Sequence, residues 1–198
     1  MVTPLETVFP GLARGGYRVT SPRDGEYNCI AWAAGDTRVW WWPGRDAGKE
    51  YWPPGVPRER TRDAFAAAFA SLGYKICEGE GPEAGYEKIA LFADAAGMPT
   101  HASRQLPGGR WTSKLGKAED VEHELHDLEG AVYGAVVLIL RRAATAAELR
   151  VDGNGCVLLI QEIENWIRRE ATVENRRFSE RRRAHAVERG RELVHNLR

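Results

Sequence analysis

The sequence lacks the cysteine patterns of disulfide frameworks and metal centres. Its three cysteines, Cys29, Cys77 and Cys156, are widely separated and include no CxxC pair. Separated free thiols are typical of proteins in a reducing compartment, so we expect a cytoplasmic protein. A P-loop, a Rossmann glycine pattern and a zinc-finger spacing are also missing. We therefore expect no bound metal and no cofactor.

Long hydrophobic runs and an excess of one charge are absent as well. The longest apolar stretch, residues 131–140, is too short to cross a bilayer. The first 19 residues lack the basic and apolar regions of a secretory signal. Because 28 basic side chains balance 28 acidic ones, the net charge indicates no particular partner. These absences predict a globular protein that does not contact a membrane.

The composition changes twice along the chain. Residues 1–142 contain most of the apolar segments and are expected to form one α+β domain. Residues 143–160 include a strong turn signal, DGNG, and are expected to be a linker. Residues 161–198 mix arginines with seven glutamates, which is typical of a solvated helix and argues against a nucleic-acid partner. We expect this tail to bind a protein partner or to self-associate.

Periodicity within the domain predicts two amphipathic helices, the second of them short, and a strand meander. Apolar residues at helical spacing predict helices over residues 61–72, where Thr61 can act as the cap, and over residues 120–128. His123 and His126 lie off the apolar stripe of the second helix, so we expect both to be solvated. Strands are predicted over residues 74–77, 88–93, 100–106, 110–115 and 132–140.

The stretch YNCIAWAAGD, residues 27–36, predicts a short helix with a cysteine in its first turn. Asn28 can cap this helix and Gly35 is a natural stop. Unpaired N–H groups and the helix dipole stabilise a thiolate there, so Cys29 could be a nucleophile if a base lies beside it. The alternative is that Cys29 is a small buried hydrophobic residue, as most free cysteines are.

A tryptophan-rich segment follows the cysteine. Four of the seven tryptophans and four of the ten prolines fall within residues 40–57. Such a density of proline excludes a long helix or a central strand and predicts a rigid loop. Aromatic rings on a rigid loop can form one wall of a substrate groove. Alternatively, the rings cover an edge of the core.

Several motifs resemble an uncharacterised bacterial domain family of unknown function. They are YNCIAWAAGDT at 27–37, WWWP at 40–43, GYEKIA at 85–90, HASRQL at 101–106 and WTSKLG at 111–116. This resemblance covers roughly residues 14–142 and implies no established activity. A cysteine helix followed by a strand histidine also resembles the papain-like superfamily, especially its NlpC-type amidases and peptidases. That second resemblance implies a papain-like α+β fold, in which the helix bearing Cys29 packs on an antiparallel sheet, with a C-terminal helical extension.

The papain-like resemblance also implies roles for individual residues. Cys29 would be the nucleophile, His101 the general base and acid, and the backbone N–H of Cys29 an oxyanion donor. The third catalytic member stays open. Ser113 lies at a suitable separation, whereas Gln105 and Asp120 are less well placed, and no asparagine occurs between His101 and residue 142.

We therefore expect a cysteine hydrolase of peptidase, amidase or deamidase type that acts on an amide or isopeptide bond of a protein or peptide substrate. A cation beside the site would lower the thiol pKa or hold a substrate carboxylate. Residues expected to contact substrate are Asn28, Trp32, Trp40, Trp41, Trp42, Trp111 and Lys114. The alternative is a catalytically inactive papain-like module that binds a protein or peptide partner through the tryptophan-rich loop.

Overall fold

The computed structural model describes residues 3–44, 50–144, 150–151 and 157–158. Its main feature is a seven-stranded antiparallel sheet in the order β1-β6-β5-β4-β3-β7-β2. The strands are β1 (Arg18–Ser21), β2 (Lys75–Cys77), β3 (Tyr86–Ala93), β4 (Pro99–Gln105), β5 (Trp111–Lys114), β6 (Asp120–His123) and β7 (Ala135–Ala143). The helices are α1 (Pro4–Val8), α2 (Pro10–Gly15), α3 (Cys29–Ala33) and α4 (Arg62–Ala70), with a 3₁₀ helix at Leu125–Leu128.

The chain divides into two compact units, Met1–Ala143 and Ala144–Arg198. The first unit contains the seven-stranded sheet. In the second, the described residues form a two-stranded antiparallel ladder of β8 (Arg150–Val151) and β9 (Val157–Leu158). The tail over residues 161–198, with its expected helix, and Cys156 lie outside the described residues. No helix in the described part of the chain is long and apolar enough to span a bilayer.

The expected papain-like architecture is wrong. The sheet dominates the first unit, and its helices are few and short; α3 has only five residues. The helix expected over residues 120–128 is also wrong, because residues 120–123 form β6 and only the last four residues form the 3₁₀ helix. Val121, Leu125 and Leu128 do share one apolar cluster. A strand followed by a tight turn thus buries the same residues that a helix would bury.

Other local predictions are confirmed. The Thr61 side chain accepts a hydrogen bond from the Ala64 N–H at 3.3 Å and caps α4. Strand β3 contains the whole predicted run 88–93, and β4 overlaps all but the last residue of the predicted run 100–106. These segments carry strong local signals, a capping residue or an apolar run, and need little tertiary context to be recognised.

The pleat sends alternate side chains to two faces of the sheet, and each face has its own core. The α3 face carries Ile89, Leu91 and Ala102, which pack with α3, α4, Trp41 and Trp52. The α2 face carries Ala90, Phe92, Trp111 and Val121, which pack with Phe9, Leu12 and the 3₁₀ helix. Strands β3 and β4 are therefore covered on both sides, and most of their side chains are buried.

A buried ion pair joins β5 to β6 on the α3 face. Lys114 and Asp120 are cross-strand partners, with Nζ 3.8 Å from the carboxylate and both side chains fully buried. The Tyr27 hydroxyl donates to the same carboxylate at 3.0 Å, and the Lys114 ammonium lies 5.2 Å from the centre of the Tyr27 ring. Tyr27 comes just before the cysteine helix, so this pair helps to fix where α3 begins.

Replacing Asp120 by alanine should lower the free energy of unfolding by about 3–5 kcal/mol, because it leaves the Lys114 ammonium buried without its carboxylate. The combined change Lys114→Met and Asp120→Leu should be less damaging than Asp120→Ala alone. Urea unfolding measures both. The exposed pair Arg23–Glu119 is the control, since Arg23→Ala should cost under about 1 kcal/mol. Equal losses for Asp120→Ala and Arg23→Ala would contradict the assignment.

Candidate active site

Asn28 fixes the start of the cysteine helix and ties it to the tryptophan-rich loop. Its Oδ1 accepts hydrogen bonds from the N–H of Ala31 at 3.0 Å and of Trp41 at 3.3 Å. Its Nδ2 donates to the carbonyl of Trp41 at 2.8 Å. The sequence predicted the cap but not the two bonds to Trp41. Asn28 is thereby fully engaged in holding Cys29 at the first position of α3.

Cys29 contacts the sheet at the point where β4 and β5 diverge and are no longer paired. These strands pair only at Arg104 with Thr112 and at Gln105 with Trp111. Helix α3 packs against both strands. The main-chain N–H of Ala102, on β4, is directed at the Cys29 sulfur. The thiol therefore contacts the β4 main chain one residue after His101.

Opposing effects act on the Cys29 thiol. Burial raises its pKa to about 11 even though the N–H groups of Ala102, Ile30 and Cys29 itself, and the charge of Lys114, all lower it. The thiol is consequently protonated at neutral pH. It also has three N–H donors in place for a thiolate, so a base is the component it needs.

A buried network of hydroxyl and imidazole groups lies on the α2 face beside this point. The Ser113 Oγ lies 3.0 Å from Nε2 of His101, 2.8 Å from Nε2 of His123 and 2.6 Å from Oγ of Ser103. The Nδ1 of His123 lies 2.7 Å from the carbonyl oxygen of Glu124. Ser113 and the three side chains that meet at its hydroxyl are all fully buried.

The network fixes the protons, because a carbonyl oxygen can only accept. His123 must donate from Nδ1 to Glu124, so its Nε2 accepts the Ser113 proton. The hydroxyl of Ser113 has no second proton, and His101 must therefore donate from Nε2. Ser103 donates its proton to Ser113 in the same way. The two imidazoles are thus held in opposite tautomers by one hydroxyl.

Both imidazoles are neutral near pH 7, as this arrangement requires. Burial, and then the neighbouring His123, hold the pKa of His101 well below its usual value. Burial lowers the pKa of His123 to about 4 despite its bond to the Glu124 carbonyl. With its proton on Nε2, His101 presents an unprotonated Nδ1, and this buried atom has no hydrogen-bond partner in the described structure. A buried base without a partner is costly and marks a candidate functional group.

Tyr133 covers the His101 ring. The two rings stack at 3.9 Å with an interplanar angle of 13°. Thr100 donates from Oγ to the Tyr133 carbonyl at 2.5 Å. The next residue, Gly134, has φ of 75° and lies so close to the Ala93 carbonyl that a Cβ would be 1.8 Å from its oxygen. Only glycine fits there, and this close approach holds Tyr133 against His101.

The structure brings some predicted residues together and keeps others apart. Ser113, the proposed third member, bonds to His101. Cys29 and His101 are not joined by a hydrogen bond: Cys29 belongs to the α3 core, whereas the His101 ring packs with Phe92 and Tyr133 on the α2 face. A short piece of β4 main chain lies between them. Their catalytic roles stay predictions.

The residues predicted to contact substrate are mainly packing residues in this conformation. Trp32, Trp41 and Trp111 are at most 4% exposed. Trp52 packs edge-on against Phe65 at 5.0 Å. Asn28 and Lys114 are buried too, at 2% and 0% exposure, while Trp40 and Trp42 are partly exposed. The tryptophan-rich loop therefore completes the α3 core, which is the alternative that the sequence left open.

Three members of the site were missed at the sequence level. His123 was expected to be a solvated helix residue, but it is buried on β6. Its register opposite Trp111 would have revealed this, had β6 been recognised as a strand. Ser103 and Tyr133 gave no local signal. Among the described residues, no group of three or more His, Cys, Asp or Glu side chains could hold a metal ion.

The pKa of His123 predicts a loss of stability in mild acid. The unfolded chain takes up a proton near pH 6.5, whereas folded His123 takes one up only near pH 4, so unfolding is favoured as the pH falls through this range. His123 alone should lower the free energy of unfolding by about 3 kcal/mol as the pH falls from 6.5 to 4. Urea unfolding of His123→Gln should show a shallower pH dependence.

His126 provides the matched control. Hydrogen bonds to Glu129 and Glu80 raise the pKa of this exposed histidine, so its protonation favours the folded chain below the folded pKa. In His126→Gln, the loss of stability at low pH should therefore be unchanged or steeper. The assignment fails if His126→Gln flattens the curve and His123→Gln does not.

Comparison with known proteins identifies a family for this chain but no protein of established activity to compare it with. No curated protein and no solved structure matches the chain. The papain-like resemblance thus finds no support. One family profile matches residues 18–141. This range includes β1 to β6, all but the last two residues of β7, the cysteine helix and the Ser113 network. The chain therefore belongs to the family described as Domain of unknown function (DUF7689).

Proposed function

We propose that the first unit is a thiol hydrolase that cleaves an amide or isopeptide bond, with Cys29 as nucleophile and His101 as base. The observation that carries the proposal is the unprotonated, unpartnered Nδ1 of His101. Its tautomer is set by Ser113, and the following residue, Ala102, directs its N–H at the Cys29 sulfur. The thiol therefore contacts the β4 main chain next to the residue that supplies the base, and Ser113 orients that base, although no hydrogen bond joins the thiol to the imidazole.

Each group has a defined part in the reaction. His101 takes the Cys29 proton on Nδ1, and the thiolate attacks the substrate carbonyl carbon. The N–H groups of Ala102 and Ile30 stabilise the thiolate before attack. The protonated imidazole then gives its proton to the leaving amine as the carbon–nitrogen bond breaks. Water hydrolyses the resulting thioester, with His101 again acting as the base.

The reaction requires a conformation in which the thiol and Nδ1 are in contact. Catalytic hydrogen bonds are often long or unaligned without substrate and tighten when it binds. Until that contact forms, burial keeps Cys29 protonated, with a pKa of about 11. Ser113 holds the His101 proton on Nε2 throughout, so that Nδ1 stays available.

Acyl transfer can be tested without knowing the natural substrate. Incubation with p-nitrophenyl acetate should release p-nitrophenolate and leave an acetyl thioester on Cys29, which mass spectrometry of the peptides from the digested chain locates. His101→Ala should slow this acylation by about 100-fold or more, the usual contribution of a general base. Ser113→Ala should slow the acylation less, because this change keeps the imidazole of His101 and only removes the hydroxyl that fixes its tautomer.

Cys77 serves as an internal reference, since it lies on β2 away from these groups and is partly exposed. The proposal is wrong if Cys77 is acylated as fast as Cys29, or if His101→Ala leaves the rate at Cys29 unchanged. Circular dichroism of each variant separates a loss of chemistry from a loss of the fold.

A further inference from the structure

A large open cleft lies beside the stacked rings of the α2 face. Its volume is about 670 Å³, which is within the usual range for ligand sites. The walls come from α1, β1, the turn between β5 and β6, and the segment before β7. They are mostly apolar and include Val8, Phe9, Val19, Leu115, Val132 and Tyr133.

Three valines around this cleft are exposed to an unusual degree. Val8, Val19 and Val132 are 51%, 49% and 48% exposed, although they come from three separate segments of the chain. Apolar side chains that converge on one concavity commonly mark a binding site. The charged residues on the wall, Arg23 and Glu119, lie 3.8 Å apart as an ion pair and neutralise each other. The cleft thus offers an uncharged surface to an apolar group.

Stacked rings connect the cleft to the base. Phe9 stacks on Tyr133 at 5.0 Å, and Tyr133 stacks on His101 at 3.9 Å. Tyr133 lines the cleft with one part of its surface and covers the imidazole with another. It is therefore the residue that separates the cleft from His101. An apolar group bound in the cleft would contact Tyr133 directly.

We propose that this cleft binds a bulky, uncharged aromatic or aliphatic group of the substrate, on the opposite side of Tyr133 from His101. The inference rests on the proposed function, since it takes Cys29 and His101 as the reacting groups. It adds the substrate class: amides that carry a large apolar substituent. A carboxylate or an ammonium there would gain no unpaired opposite charge, because Arg23 and Glu119 already pair with each other, so apolar substituents should be preferred to charged ones.

Paired alkylating probes test the cleft. Chloroacetamide and N-(2-naphthylmethyl)chloroacetamide both form a carbon–sulfur bond to the thiol and release chloride, but only the second carries a bulky ring. The full chain is labelled and then digested, the rate at Cys29 is measured by mass spectrometry of its peptide, and this rate is divided by the rate with glutathione. The naphthyl probe should be preferred by about tenfold or more after this correction.

Variants of the rim identify the surface responsible. Val19→Asp and Val132→Asp place a charge in the cleft and should remove the preference, and Val132→Trp should reduce it by filling the space. Ile76→Asp is the matched control, because Ile76 is 65% exposed on β2 and is not among the cleft residues. Since the changed valines are half exposed, thermal unfolding should show that each variant still folds.

The ratio of the two alkylation rates reports binding in the cleft, whereas the absolute rate at Cys29 reports activation of the thiol by His101. His101→Ala lowers both absolute rates if the proposed function is right, yet leaves their ratio unchanged. If His101→Ala has no effect while the preference persists, the proposed function fails and the cleft assignment stands. If the naphthyl probe shows no preference over chloroacetamide, or keeps its preference in both aspartate variants, the cleft assignment is wrong.

Discussion

The single proton of the Ser113 hydroxyl is the constraint on which the site depends. Three buried groups approach this oxygen, and one of them, Nε2 of His123, can only accept, because the single proton of neutral His123 lies on the nitrogen that donates to a carbonyl. His101 and Ser103 must then act as donors. One hydroxyl thus determines the protonation of two imidazoles. It leaves a single buried nitrogen, Nδ1 of His101, free for chemistry.

The sheet supplies what this network needs. Antiparallel register places Ser113 between His101 on β4 and His123 on β6, and the double core on both faces keeps water away from all three. The same burial stabilises the neutral forms of both imidazoles and of the Cys29 thiol. Because every reacting group is uncharged at rest, the site avoids a buried unpaired charge. Charge would develop only when the proton moves from sulfur to nitrogen.

Local signals predicted the pieces of this site but not their assembly. Asn28 and Thr61 could be identified as helix caps because a cap depends on residues within one turn. His123 was misplaced because apolar residues at positions 121, 125 and 128 fit a helix as well as a strand followed by a turn. Tyr133 could not have been found, since its stacking depends on the close approach of Gly134 to Ala93. Partners far apart in sequence are determined by sheet register, which periodicity does not reveal.

The opposite tautomers of the two imidazoles are the central claim, and nitrogen NMR of the ¹⁵N-histidine-labelled chain tests it directly. Near neutral pH, long-range ¹H–¹⁵N spectra should show His101 protonated on Nε2 alone and His123 protonated on Nδ1 alone. In Ser113→Ala, the signals of His101 should shift toward a mixture of tautomers. A proton on Nδ1 of His101, or the same tautomer in both rings, would contradict the account.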